Sequence, residues 1–264
     1  MTTINYERRG SGTPLILVHG IASRWEMWLP VIDALAAHHD VIAVDVPGFG
    51  QSPKPAEGTP AGLPSMCGML EEFWAELGIE RPHVAGNSMG GMIALELARR
   101  GTVASACALS PGGFQSESDT RFIRAQLNAS YAGARRIAPY AGTITKTSVG
   151  RALLMSGVVH HPGRIPADEA ALAVRGMAEC TWFRPNLDWL GDNAFRDVTH
   201  TSMPVTIAWG THDRLLRPKL AARALALFPD ARYVKLPDCG HVPTYDDPEL
   251  VARVMLDAAA AATD

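Results

Sequence analysis

Ser88 stands in Gly86-Asn87-Ser88-Met89-Gly90, a G-x-S-x-G run preceded by apolar residues and followed by the helix-forming stretch Met92-Ile93-Ala94-Leu95-Glu96-Leu97-Ala98. Strand, sharp turn and helix in that order present a serine hydroxyl at the end of a strand, where a base can reach it. The flanking glycines carry no Cβ, so strand and helix can close around a strained backbone. A serine hydroxyl is a poor nucleophile at neutral pH and needs an adjacent general base. The candidate is His241, in Asp238-Cys239-Gly240-His241. A base in turn needs a group that fixes its tautomer and stabilises the imidazolium. Asp213, in Gly210-Thr211-His212-Asp213, fits that role. The segment Ser110-Pro111, after another strand, offers no competing acid. Acyl transfer also needs N–H donors for a developing oxyanion. The amide of Met89 and that of Ile21, in the turn His19-Gly20-Ile21, are the candidates. This turn lacks a longer glycine run, which argues against a bulky tertiary-alcohol substrate.

These side chains must be positioned by strands. Pro14-Leu15-Ile16-Leu17-Val18 and Asp40-Val41-Ile42-Ala43-Val44-Asp45 are continuous apolar runs, the pattern of parallel strands covered on both faces. Residues 82–86, 103–109, 204–210 and 231–236 read as further strands, and residues 4–9 as an entry strand. Helical spacing occupies residues 25–37, 65–77, 90–100, 220–228 and 250–261. Strand and helix alternate, so the expected fold class is α/β, with a mostly parallel central sheet and helices on both faces. Ser88, Asp213 and His241 then all lie beyond the carboxyl ends of strands, where open α/β sheets bind ligands. From residue 114 to about 202 the alternation stops; helical patches, punctuated by prolines, predict a helical insertion over one end of the sheet before the last two core strands. The expected division is therefore a core of residues 1–113 and 203–264 and an insertion of residues 114–202.

The 264 residues are 47% hydrophobic and 19% charged, which suits one well-buried α/β core. A formal net charge of -3 without a long charge run gives no reason to expect nucleic acid or an acidic membrane surface as partner. The first ten residues are polar and do not read as a signal peptide, and no stretch has the unbroken apolar length of a membrane span. Cys67, Cys107, Cys180 and Cys239 are spread singly, as reduced thiols of a cytoplasmic protein would be. The expected partner is a small-molecule substrate, and the expected assembly a monomer or homodimer.

Five segments together resemble the α/β-hydrolase family: Leu17-Val18-His19-Gly20, Asp45 to Ser52, Gly86 to Gly91, Trp209-Gly210-Thr211-His212-Asp213, and Gly240-His241. The chain order Ser, Asp, His is also the order of that family. The resemblance implies Ser88 as nucleophile, His241 as base and Asp213 as acid, a helical cap in place of the insertion, and no metal or organic cofactor. Gly-Asn-Ser-Met-Gly-Gly is common among relatives that cleave carbon–carbon bonds of ring-fission products. Those usually carry Trp after the histidine, where this chain has Val242-Pro243. Dehalogenases and epoxide hydrolases of this fold use Asp at the position of Ser88.

Three functions remain open on this basis. The first is a serine hydrolase of a small to medium, largely apolar ester, lactone or thioester. The second is a carbon–carbon hydrolase of a ring-fission dienoate whose carboxylate would meet a cap arginine such as Arg184. The third is a receptor that keeps the triad with negligible turnover. Trp25, Trp182 and Phe183 are expected at the substrate pocket. His19 and Asp45 read as shaping residues of their turns. His160-His161 reads as solvated loop, because no Cys or carboxylate sits at ligand spacing beside it.

Overall fold

The computed structural model describes residues 3–192 and 195–262. Residues 1–2, 193–194 and 263–264, which the expected segments include, lie outside the described residues. Seven strands form one sheet in the order β1-β3-β2-β4-β5-β6-β7. They are β1 (Tyr6–Gly10), β2 (Pro14–Val18), β3 (Asp40–Val44), β4 (His83–Asn87), β5 (Ser105–Leu109), β6 (Val205–Gly210) and β7 (Arg232–Leu236). β1 runs antiparallel to β3, with Tyr6 opposite Val44 and Gly10 opposite Asp40. Every other pairing is parallel. The expected entry strand is thus real, but it lies at an edge with alternating exposure and closes the sheet in the opposite sense.

The continuous apolar runs are explained by burial on both faces. Leu15, Leu17, Val41 and Ala43 pack on one face with α1 (Leu29–Ala36) and α10 (Pro248–Ala260). Ile16, Val18, Ile42 and Val44 pack on the other with α2 (Leu63–Glu76), α3 (Met89–Arg100) and α9 (Leu220–Leu227). The helix expected over residues 25–37 opens with a 3₁₀ turn, Trp25–Trp28, and becomes α-helical at Leu29, where Pro30 sits in the first turn.

Between β5 and β6 come α4 (Glu117–Ile137), α5 (Ala141–Ile144), α6 (Ser148–Met155), α7 (Ala167–Glu179) and α8 (Phe183–Asp192), with no strand among the described residues. Part of this segment has its own apolar cluster, including Ala134, Met155, Ile165 and Val174. Its last turns do not: Trp182, Phe183 and Leu187 join the main core. Among the described residues no helix is long and apolar enough to cross a membrane.

The first insertion helix is tied to the core at its N-terminus. Ser116 and Asp119 form a capping box. The Asp119 carboxylate also meets Lys219 at 2.7 Å and Arg223 at 3.5 Å, just before and on α9. The hydrogen bond from Lys219, with that from Ser116, lowers the Asp119 carboxyl from 3.8 to about 2. A depressed carboxyl contributes stability above its unfolded value and loses it as pH falls through the folded one. Asp119→Asn should therefore lower the melting temperature at about pH 6, and the gap to the wild type should close between about pH 4 and pH 2. Thermal unfolding across that range checks this; a gap that does not change with pH would contradict it.

Candidate active site

Ser88 follows β4 directly and has φ 57° and ψ -112°, a conformation that L-residues rarely adopt. Its amide donates to the Leu109 carbonyl at 3.0 Å, and its carbonyl accepts from Met92 at 3.0 Å and Gly112 at 3.2 Å. A Cβ at Gly86 would overlap the Gly90 carbonyl, and one at Gly90 would overlap the Val18 carbonyl at the end of β2. The two motif glycines are thus required by close backbone approach rather than by a left-handed φ.

The loops after β6 and β7 bring Asp213 and His241 together. His241 Nδ1 lies 2.8 Å from Asp213 Oδ2, and the two side chains are only 4% and 0% exposed. Asp213 Oδ1 accepts the amides of Leu215 at 2.9 Å and Leu216 at 2.8 Å, which aims the other oxygen at the ring. With Nδ1 donating to the carboxylate, Nε2 is left to act as base. A Cβ at Gly210 would overlap the Gly240 carbonyl, so the two loops can approach this closely only with glycine there.

Ser88 and His241 line one cavity of about 330 Å³. Among the described residues no hydrogen bond joins their reacting atoms, and such bonds tighten when a substrate binds. Ile21 and Met89, the expected oxyanion donors, line a second cavity of about 40 Å³ with Ser88. Met89 opens α3, so its amide has no intrahelical acceptor and lies at the positive end of the helix.

The turn that carries Ile21 is held by His19. The Val46 amide donates to His19 Nε2 at 3.0 Å, which leaves Nδ1–H to donate to the Gly20 carbonyl at 2.7 Å. Burial pushes the His19 imidazole below its ordinary pKa and keeps it neutral, so this bonding pattern persists. Asp45 is fully buried and shapes the next turn: its carboxylate accepts from the amides of Trp25 and Gln51 and the side chain of Asn5, each at 2.8 Å.

The large cavity is mostly apolar and lies between Ser88, His241 and the insertion, with Leu127, Leu154, Met155, Ala170, Val174 and Met177 in its wall. Polar groups interrupt that wall at Arg24, bound through two hydrogen bonds to Glu26, and at Tyr245, which donates to Glu169 at 2.9 Å. The aromatic residues expected at the pocket do not line either cavity. Trp182 is buried with its Cβ against Gly48, and Phe183 stacks on Tyr131 with ring centroids 4.3 Å apart. Trp25 packs against the opposite face of the sheet. Their bulk serves the core, and small and aliphatic side chains of the insertion line the open space.

Two buried polar residues complete the site without having stood out in the sequence. Asn87, inside the motif, donates to the His241 carbonyl at 2.8 Å and the Leu109 carbonyl at 3.1 Å. Asp246 is 1% exposed; Oδ2 accepts from Gly240 at 2.8 Å and His160 at 3.0 Å, and Oδ1 accepts from His161 at 2.6 Å. Its carbonyl also accepts from Arg164. The Asp246-Asp247-Pro248 run reads as a helix cap, and Asp247 does cap α10. The signal lay in the doublet: one cap needs one Asp, which leaves the other free to turn inward.

The family model of the alpha/beta hydrolase fold matches residues 13–248. A curated relative, the dihydrolipoyllysine-residue acetyltransferase component of the acetoin cleaving system of Cupriavidus necator, is 29% identical over 244 residues. That match covers 90% of this chain and 62% of the relative, so the chain spans less than two thirds of that protein's length. Among solved structures, a thermophilic esterase from Thermogutta terrifontis superposes with a TM-score of 0.70 at 23% identity, over 96% of this chain and 92% of that one. A serine hydrolase involved in carbazole degradation superposes with a TM-score of 0.75 at 22% identity, over 97% and 94%. At these identities the structural matches concern the fold.

Asp246→Asn replaces one acceptor oxygen with an amide N–H₂ that faces a backbone N–H. The unfolding free energy should fall by about 2–4 kcal/mol. Urea unfolding measures this, and an unchanged midpoint would show that the three amides do not depend on the carboxylate.

Proposed function

The chain belongs to the alpha/beta hydrolase fold family, and from that premise we propose that it is a serine hydrolase. Its substrate is a small to medium, largely apolar carboxylic ester, lactone or thioester, cleaved through an acyl-enzyme on Ser88. The observation that carries this reading is the buried His241–Asp213 pair at 2.8 Å, opening on the same cavity as the strained Ser88 turn.

His241 Nε2 takes the Ser88 proton as Oγ attacks the acyl carbon, and Asp213 stabilises the imidazolium that forms. The carbonyl electron pair moves onto oxygen, where the amides of Ile21 and Met89 receive it. As the tetrahedral species collapses, the alkoxide or thiolate leaves with the proton from His241. Water then gives a proton to His241 and attacks the acyl carbon, and release of the carboxylic acid restores Ser88.

In this reading residues 114–202 form the cap, whose aliphatic wall supports the choice of an apolar substrate. The described cysteines are free and buried, which suits a reducing cytoplasm. The carbon–carbon reading required a cap arginine for the substrate carboxylate. Arg184, the expected partner, is exposed and lines neither cavity. Arg24 lines the large one and Arg124, on α4, lines the small one, but each already holds a carboxylate, Glu26 and Asp188 respectively. The ester reading is therefore preferred, and no particular feature favours a receptor.

Hydrolysis of p-nitrophenyl esters from acetate to palmitate, beside one ring-fission dienone, tests the proposal. Ester turnover should fall by about 10³-fold or more in Ser88→Ala, and kcat by about 10⁴-fold in Asp213→Asn. Ester turnover that survives Ser88→Ala, or turnover confined to the dienone, would overturn it.

A further inference from the structure

On the outer side of the Asp213 and His241 loops, His160, His212 and Asp238 each offer one ligand atom, and these atoms all lie within 4.8 Å of one another. We propose that they form a site for a divalent transition-metal ion of the zinc, nickel or copper type, which clasps the insertion to both loops. Along the chain His160-His161 has no ligand at suitable spacing, because the candidate partners arrive from elsewhere in the sequence. His160 comes from the α6–α7 connection, His212 from the loop after β6 and Asp238 from the loop after β7.

His160 is the fixed member. Its amide is held by Asp246 at 3.0 Å, the next amide by the same carboxylate at 2.6 Å, and Val242 donates to the Val158 carbonyl at 2.8 Å. Its ring nitrogen Nδ1 is buried without a hydrogen-bond partner. A buried polar atom in that state calls for an ion or a donor. His212 and Asp238 are the movable members: their side chains are 43% and 79% exposed, with Nδ1 and Oδ1 3.8 Å apart.

Ligand atoms on one tetrahedral zinc stand about 3.4 Å apart, given bonds of about 2.0–2.1 Å. The cluster must therefore contract by up to about 1.4 Å at its widest pair. The His160 and His212 rings stack with centroids 3.9 Å apart and an interplanar angle of 17°, so their lone pairs run side by side. Turning the exposed His212 ring brings its nitrogen toward the common centre. Two imidazoles and one carboxylate suit zinc, nickel or copper and not magnesium or calcium, which take all-oxygen sets. Water completes the coordination. Because the three ligands come from separate segments, binding favours the folded state and raises the melting temperature by mass action. The site stands on its own geometry and does not depend on the role of Ser88.

The test uses untagged full-length protein, treated with EDTA and dialysed, then titrated with ZnCl₂ by calorimetry and followed by thermal unfolding. One equivalent of Zn²⁺ should bind and raise the melting temperature. His212→Ala and Asp238→Asn should each weaken binding at least tenfold in protein that still unfolds cooperatively without metal; Asn keeps the left-handed backbone of residue 238, φ 53°. His200→Ala, at an exposed histidine beside Asp230, should leave binding intact. Absence of saturable binding, or binding retained in His212→Ala and Asp238→Asn, would overturn the proposal.

Discussion

The backbone at Ser88 is held where a side chain costs about 1–3 kcal/mol, and the rest of the site is arranged by the contacts that hold it there. β4 lies inside the sheet with β2 and β5 on either side. The Ser88 amide is bound to the end of β5, through the Leu109 carbonyl. Gly90 meets the end of β2, through the Val18 carbonyl. Gly86 approaches the Gly90 carbonyl as closely, so a Cβ at either glycine would open the turn. The approach of α3 to β2 also sets the Met89 amide near the His19-Gly20-Ile21 turn. Strain at one residue and packing at its neighbours are thus one constraint.

The second constraint is electrostatic. Asp213 and His241 are removed from water, and a buried carboxylate is tolerated only when its oxygens are occupied. Two backbone amides take one oxygen and the imidazole takes the other. Asn87 then bonds the His241 carbonyl to the elbow itself, which ties the His241 loop directly to the serine turn. Asp246 extends the same logic outward by binding the base loop to the insertion. The cavity is consequently bounded on its fixed side by polar networks and on the insertion side by aliphatic packing.

Much of the fold could be read from local pattern. Apolar runs without alternation identify strands buried on both faces, and the prolines and helical patches after residue 114 mark the insertion. The convergence of Ser88, Asp213 and His241 was legible because each follows a strand, and parallel strands deliver their following loops to one edge. What escaped depends on contacts between distant segments. Trp182 and Phe183 looked suited to a pocket by type, yet Trp182 packs on Gly48, more than a hundred residues away in the chain. Asp246 drew no reading from the sequence, because its inward turn is decided by the amides of Gly240 and of the α6–α7 connection. His160 showed no ligand partner along the chain because its neighbours, His212 and Asp238, are brought to it by the sheet. Periodicity reports which face is buried, not which side chain from another loop will meet it.

The central claim is that Ser88 is the nucleophile, activated by His241. Incubation with a fluorophosphonate, followed by digestion and mass spectrometry, tests it most directly. The account predicts one phosphonyl group per chain, on the peptide that contains Ser88, and none in Ser88→Ala. It also predicts labelling slowed by orders of magnitude in His241→Ala. A folded protein that takes up no label, or a label on another residue that persists in Ser88→Ala, would contradict it.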